Sequence, residues 1–274
     1  MRPYDSFAVL GALLSGLNNP GLGWAKTHNT SLSVDIGFWK NRVNLTFNYY
    51  DNITKELLTN YDLAPSTGFS TMMMNAGELQ NRGFDLSLNV IAVQNLRKEF
   101  FWTINANANH NRNKIRKLSD YLKKMNEEQM KSAAAPLPQY REGESTTTLY
   151  VVRSLGVDPV TGKELYLKRD GTKTFVWNAN DKVPVGDTNP KISGTVSSSV
   201  NWKDLSVMLG FTYKFGGIVY NQTLVDKIEN QNVAYNLDRR AGEGRWEKPG
   251  DVTRYVGFSA TGANTPASTR FIMN

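Results

Sequence analysis

Apolar and polar residues alternate with a period of two over several stretches of the chain, the spacing of a β-strand whose two faces meet different surroundings. Over 42–58, Val43, Leu45, Phe47 and Tyr49 share one face, and Arg42, Asn44, Thr46 and Asn48 share the other. The same pattern groups Leu32, Val34, Ile36 and Phe38 over 24–38, Phe84, Leu86, Leu88 and Val90 over 77–92, and Trp102, Ile104, Ala106 and Ala108 over 99–115. Two more runs follow, with Ile192, Val196, Val200 and Trp202 over 191–202, and Leu205, Val207, Leu209, Phe211, Tyr213 and Phe215 over 205–216. Several of these six predicted strands run to ten residues or more, beyond the usual length of roughly five or six in globular sheets. Alternation alone leaves the direction open. In a soluble sheet the apolar face packs on a core, whereas in an outer-membrane barrel it meets lipid and the polar face lines the lumen.

The connections decide more than the strands. Only 39–41 ("WKN"), about 93–98 ("VQNLRK") and 203–204 ("KD") separate the members of the three pairs, which predicts tight hairpins. The two segments between the pairs are about 18 and more than 70 residues long, and nearly 60 residues follow the last pair. Short and long connections in strict alternation put every long loop at one end of the sheet, as in barrels with tight periplasmic turns and extended extracellular loops. The polar faces fit a wet lumen, being rich in Asn, Ser and Thr ("NANANHNRN", "SGTVSSSVN"), and aromatics such as Trp24, Trp39, Tyr50, Trp102, Trp202 and Phe215 gather near strand ends, where interfacial girdles lie. On this reading Val43, Leu45, Phe47, Tyr49, Leu86, Leu88, Val196, Val200, Leu209 and Phe211 face lipid.

Composition changes the picture mainly by exclusion. With 40% hydrophobic and 21% charged residues over 274 positions, the chain falls in the folded range, and no stretch reaches the roughly 18 uninterrupted apolar residues of a membrane-spanning helix. A mean hydropathy of −0.45 agrees; barrel strands escape such a measure because only alternate residues are apolar. The absence of cysteine removes disulfide scaffolds, thiolate metal sites and cysteine nucleophiles, and His28 and His110 lack metal-ligand spacing. The formal charge of +7 is spread thinly, so no nucleic-acid partner is expected; the densest runs are 112–118 and 120–131, the second mixing signs as a solvated helix does. Residues 1–17 pair Arg2 with a short apolar stretch but carry Asp5 and no convincing cleavage site, which argues against a secretory signal.

Candidate chemistry is sparse. Asp158, Glu164, Asp170, Asp181 and Asp187 show neither catalytic pairing nor the spacing of a calcium loop and are expected to be solvated loop charges; no catalytic residue, metal or cofactor is expected, and no enzyme. "DPVTGKELYL" and "KRDGTKTFVW" predict a small β-hairpin within the longest connection. The segment 221–246 carries helical spacing at Leu224, Ile228 and Tyr235, and its "GEGRW" lacks the context of a phosphate loop. Tyr166, Phe175 and Trp177 offer flat rings that could stack on a sugar or simply pack the loop region.

Several segments together resemble one family. "NPGLGWAKTHNTSLSVDIGFWKNRVNLTFNYYDNITKELL" (19–58), "NAGELQNRGFDLSLNV" (75–90), "GVDPVTGKELYL" (156–167), "VPVGDTNPKISGTVSSSVNWKDLSVMLGFTYKFGG" (183–217) and "RWEKPGDVTRYV" (245–256) occur in the order seen in SusC/RagA-type TonB-dependent outer-membrane transporters. Ala25 departs from the family, which usually has an acidic residue after the tryptophan. The resemblance implies an all-β fold, an antiparallel transmembrane β-barrel of roughly 22 strands, of which at least six are seen here, with long extracellular loops carrying short helices and a β-hairpin. It implies partial barrel over 1–274, an extracellular loop insertion over 116–188, a second loop region over 217–274, and no plug domain, hence a fragment of a longer product. It further implies residence in the outer membrane of a Gram-negative bacterium and import of oligosaccharides or peptides. The implied partners are a SusD-like lipoprotein at the external loops, and TonB reached through the missing plug. The competing reading is a soluble secreted β-sandwich that binds glycans, its apolar faces packed on each other.

Overall fold

The computed structural model describes residues 16–274 except 64, 132–134, 232–235, 237 and 259–264. Tyr235 and the N-terminal run through residue 15 thus lie outside the described residues.

In chain order, β1 (Lys26–Phe38) and β2 (Val43–Lys55) form the first hairpin, and a small hairpin of β3 (Leu58–Asp62) and β4 (Thr71–Asn75) follows. Then come β5 (Gly77–Asn95), β6 (Phe100–Leu118) and α1 (Asp120–Met130). The longest connection holds β7 (Thr148–Val157), β8 (Glu164–Leu167), β9 (Lys173–Thr174) and β10 (Lys182–Asp187). The third long pair is β11 (Ile192–Trp202) and β12 (Leu205–Phe215); β13 (Val219–Tyr220), the short α2 (Gln222–Leu224), continued by a π-turn over Val225–Glu229, and β14 (Ile272–Met273) complete the chain.

The six long strands form one antiparallel sheet in the order β1-β2-β5-β6-β11-β12, so each neighbours the next long strand in sequence. This is the up-and-down meander of a barrel wall. The first tight turn requires three consecutive residues in the left-handed region, Trp39, Lys40 and Asn41, at φ 48, 55 and 61°; the turn between β11 and β12 places Lys203 at φ 52°. Side chains pay for such angles unless the flanking ladder enforces them, and here 13 paired positions between β1 and β2 do so.

Three expectations need correction. The connection of about 18 residues after β2 is the β3/β4 hairpin rather than open loop, tied to the chain before β1 by Asn75, whose Nδ2 donates to the Gly23 carbonyl at 2.9 Å and whose Oδ1 accepts from Gly23 N–H at 2.8 Å. Three methionines in sequence (Met72–Met74) hide a strand because their apolar character does not alternate. β6 reaches Leu118, past the expected loop start at 116. Glu164 is not a solvated charge: it is 6% exposed, within a cluster of ions.

The core lies in the loops. Tyr150, Val151, Val152, Val225, Ile228, Ala267 and Phe271 are almost fully buried there. The outer rows of the long sheet are open instead, with Leu32 61%, Leu209 59% and Phe211 70% exposed. A sandwich would have covered these side chains with a second sheet; among the described residues none does.

Candidate functional site

Register turns six alternating strands into two continuous surfaces. Ile36, Leu45, Leu88, Ala106, Val196 and Phe211 stand in one cross-strand row, with Val34, Phe47, Leu86, Ala108, Gly194 and Tyr213 in the next. Val43 pairs with Val90, Tyr49 with Phe84 and Val200 with Val207, so all ten residues expected to face lipid lie on this one face. At about 3.3 Å per residue and a barrel tilt of about 40°, the stripe from Leu205 to Phe215 rises about 25 Å, the height of a barrel's apolar band. Aromatic residues bound the stripe at both ends, with Tyr49, Phe84 and Phe215 towards the long loops and Phe100, Trp102 and Trp202 towards the tight turns.

The opposite face is a polar wall whose groups bind one another. Thr46 donates to Asp35 at 2.6 Å, Asn89 to Asn105 at 2.5 Å, Asn107 to Thr195 at 2.7 Å and Asn113 to Asn81 at 2.9 Å, while Asn109 donates to Asp85. Cross-strand pairs of amides and hydroxyls hold the wall firm yet leave donors and acceptors for water and polar cargo. Tyr50 lies across Gly83 on this face and donates to Asn111 at 3.3 Å; a Cβ at Gly83 would sit 2.7 Å from its hydroxyl.

Beyond the loop end of the sheet, the two longest connections merge into one module. β7 is flanked by β10 and β8, and β9 extends this sheet. The predicted hairpin is present as β8/β9, turning at Gly171 with φ 86°. The C-terminal segment docks on it: Val152 bridges Ser268, Ser154 N–H donates to Thr269 Oγ1 at 2.9 Å, and Trp177 Nε1 donates to the Ala267 carbonyl at 3.1 Å. Leu224 and Ile228, placed together by their helical spacing, join Val225, Ala241, Tyr255 and Phe271 in a second small core.

Between these cores Arg270 is clamped by two carboxylates. Its Nη2 lies 2.9 Å from Glu164 Oε2 and 2.6 Å from Glu229 Oε1, and all three side chains are at most 6% exposed. Glu164 also accepts from the Ser268 hydroxyl at 2.6 Å. Arg245 reaches the carbonyls of Ala241, Ile228 and Glu229, and that of Val256 at 3.0 Å, adding the second positive charge that balances the pair of carboxylates. Burial drives the Tyr166 phenol well above its ordinary value, with the Glu164 carboxylate adding to it, and burial likewise pushes Tyr220 up to about 12. Arg245, Glu229 and Arg270 carried no signal in the sequence, since a buried arginine reads like a surface one.

The three candidate ligand aromatics end up apart in character. Tyr166 is buried beside Glu164, Trp177 is half-buried with Lys182 Nζ 5.5 Å from its ring centroid, and Phe175 stands 46% exposed. Asp158 caps a turn by accepting from Thr161 N–H at 2.9 Å, Asp170 does so for Thr172 at 2.8 Å, and Asp181 accepts from Arg169 N–H at 3.3 Å. Asp187 accepts from the Thr147 hydroxyl and from Asn189 N–H. Among the described residues no cluster suited to a metal ion occurs. Below the module, α1 and the strand ends enclose a cavity of about 350 Å³ lined by Leu79, Ile115, Leu118, Tyr121, Leu122 and Met125; α1 is therefore solvated on one side only.

No family model matches the chain. Over 90% of its length it is 26% identical to TonB-dependent receptor P39 of Formosa agariphila, and over 76% it is 25% identical to TonB-dependent receptor SusC of Bacteroides thetaiotaomicron. The whole chain superposes on a part of the RagAB peptide transporter with a TM-score of 0.75 at 24% identity, and on RagAB in its open-open state with a TM-score of 0.70 at 23% identity. Those structural likenesses show the fold. Over most of its length the chain resembles the SusC/RagA-type TonB-dependent receptors. It spans 27% of the length of receptor P39 and 21% of that of SusC. A long antiparallel sheet with one apolar and one polar face has the form of an outer-membrane barrel wall.

Proposed function

We propose that the chain forms one sector of an outer-membrane importer for oligosaccharides or peptides, with its polar wall turned to the transport lumen and its loop module at the cell surface. The observation that carries this reading is the segregation of most apolar and polar side chains onto opposite faces across six registered strands. The module works with a SusD-like lipoprotein lid, and TonB acts through a plug domain elsewhere in the receptor. Cargo is moved without chemical change. Phe175, exposed near the module surface, is the best placed of the three aromatics to touch cargo or lid, since Tyr166 is buried and Trp177 half-buried.

The test is uptake by cells carrying the full receptor. Replacing Asn107 and Thr195 by tryptophan fills the lumen side and should cut uptake about tenfold while leaving receptor abundance unchanged. Loss of TonB should abolish uptake in both forms. Undiminished uptake by the tryptophan variant would remove this face from the transport path.

A further inference from the structure

Just above the upper aromatic row the outward face changes from apolar to basic. Two residues beyond Phe84 and His110 stand Arg82 and Arg112, directly opposite each other in the β5–β6 register, and two further on stand Gln80 and Lys114, also opposite each other. Like charges facing across an antiparallel pair destabilise it unless a counter-charge intervenes. The obvious counter-charge is engaged elsewhere: Asp51, opposite Arg82 on the other side, accepts from Gln80 Nε2 at 2.7 and 2.9 Å. Glu144 and Asp187 line a neighbouring cavity with Arg112, but among the described residues neither is ion-paired with it, and Arg82 and Lys114 have no ion pair either. Gln80, Arg82, Arg112 and Lys114 together line an open cavity of about 140 Å³.

We propose that this cavity binds the phosphorylated headgroup of an outer-leaflet lipid. The inference rests on the reading that the apolar rows face lipid. Given that reading, the parity of β5 and β6 points these side chains out of the barrel, at the depth where the acyl chains end and headgroups begin. Two guanidiniums and an ammonium around a small cavity match a phosphate monoester, which accepts several charge-assisted hydrogen bonds at once. Gln80, held by Asp51, adds a neutral polar edge for a sugar hydroxyl next to the phosphate. A lumen-directed or solvent-only role would not require the cluster to sit directly above the aromatic row.

The experiment compares the full receptor with Arg82→Gln/Arg112→Gln/Lys114→Gln and with a control that removes the same charge at the tight turns, Lys40→Gln/Lys98→Gln/Lys203→Gln. Each is placed in nanodiscs containing bis-phosphorylated lipid A, or its dephosphorylated form, and retained lipid is counted by native mass spectrometry. The native and control proteins should retain bis-phosphorylated lipid A about tenfold better than the cavity variant, and the preference should vanish with the dephosphorylated lipid. Equal retention by all three proteins, or retention indifferent to phosphate or displaced by millimolar inorganic phosphate, would overturn the headgroup site alone. If the native protein holds no lipid of either kind, the lipid-facing reading falls with it.

Discussion

The long sheet and the loop module are built from the same alphabet with opposite rules. In the sheet the large apolar side chains are the exposed ones, Phe211 at 70% and Phe215 at 66%, and the polar side chains are held together by mutual hydrogen bonds. In the module the order is that of a soluble protein: Val151, Val225 and Phe271 are wholly buried, and turn carboxylates such as Asp158 and Asp170 face water. The difference teaches that sidedness here follows the solvent each region meets. A bilayer accepts apolar surface freely but disfavours unpaired backbone groups, which fits long strands laddered to their neighbours in the sheet, while the module tolerates short strands and irregular turns.

The largest test of the contrast strikes the buried ions, which among the described residues only the module possesses. Arg270→Ala leaves Glu164 and Glu229 buried without their partner and should cost about 3–5 kcal/mol of module stability, read as lost hydrogen-exchange protection in β7 and Val225–Glu229 with the long sheet unchanged. Replacing Arg270, Arg245, Glu164 and Glu229 together by Met and Gln, which removes all four charges, should recover most of that loss. The counterpart in the sheet is Phe211→Arg, expected to cost about 2–4 kcal/mol in a lipid bilayer. On the polar wall the exposed Ser87→Arg should cost no more than about 0.5 kcal/mol. Urea unfolding from lipid vesicles measures both, and equal costs would erase the distinction between the faces.

Alkaline titration sharpens it further. Tyr220 is pushed up to about 12 in the folded module, so the folded state holds its phenolic proton more tightly than the unfolded chain does. The resulting stability is complete below about pH 10, the ordinary tyrosine value, and is lost as the pH rises through about 12; Tyr166, shifted the same way, adds to it. Module unfolding should track tyrosinate absorbance across that window, ahead of any change in the sheet. The smallest effect is Asn221→Ala, which removes the Oδ1 acceptor 2.8 Å from Leu224 N–H at the start of α2; it should lower module stability by about 1 kcal/mol.

The two regions also differ in how much of them could be read from the sequence. Each long strand was legible to within about three residues, because alternation is a local property and a tight turn such as 203–204 has few ways to close. The β8/β9 hairpin was legible for the same reason, marked by Asp170-Gly171. The ion cluster was not. Arg270 meets Glu164 across 106 positions and Glu229 across 41, and nothing local distinguishes those carboxylates from the turn-capping Asp158 or Asp170. The β3/β4 hairpin escaped because methionine carries no β-branched signature, and the basic cavity because its members lie on two strands, at 80, 82, 112 and 114, and meet only through register.

The central claim is that the face bearing Phe47, Leu88 and Phe211 meets lipid and the face bearing Asn48, Ser87 and Asn107 meets water. The sequence contains no cysteine, so single cysteines at these six positions can each carry one environment-sensitive fluorophore in the membrane-embedded receptor. Brominated lipid should quench the label at 47, 88 and 211 and leave 48, 87 and 107 to an aqueous quencher such as iodide. Quenching by iodide at 47, 88 and 211, with no effect of the brominated lipid there, would contradict the account.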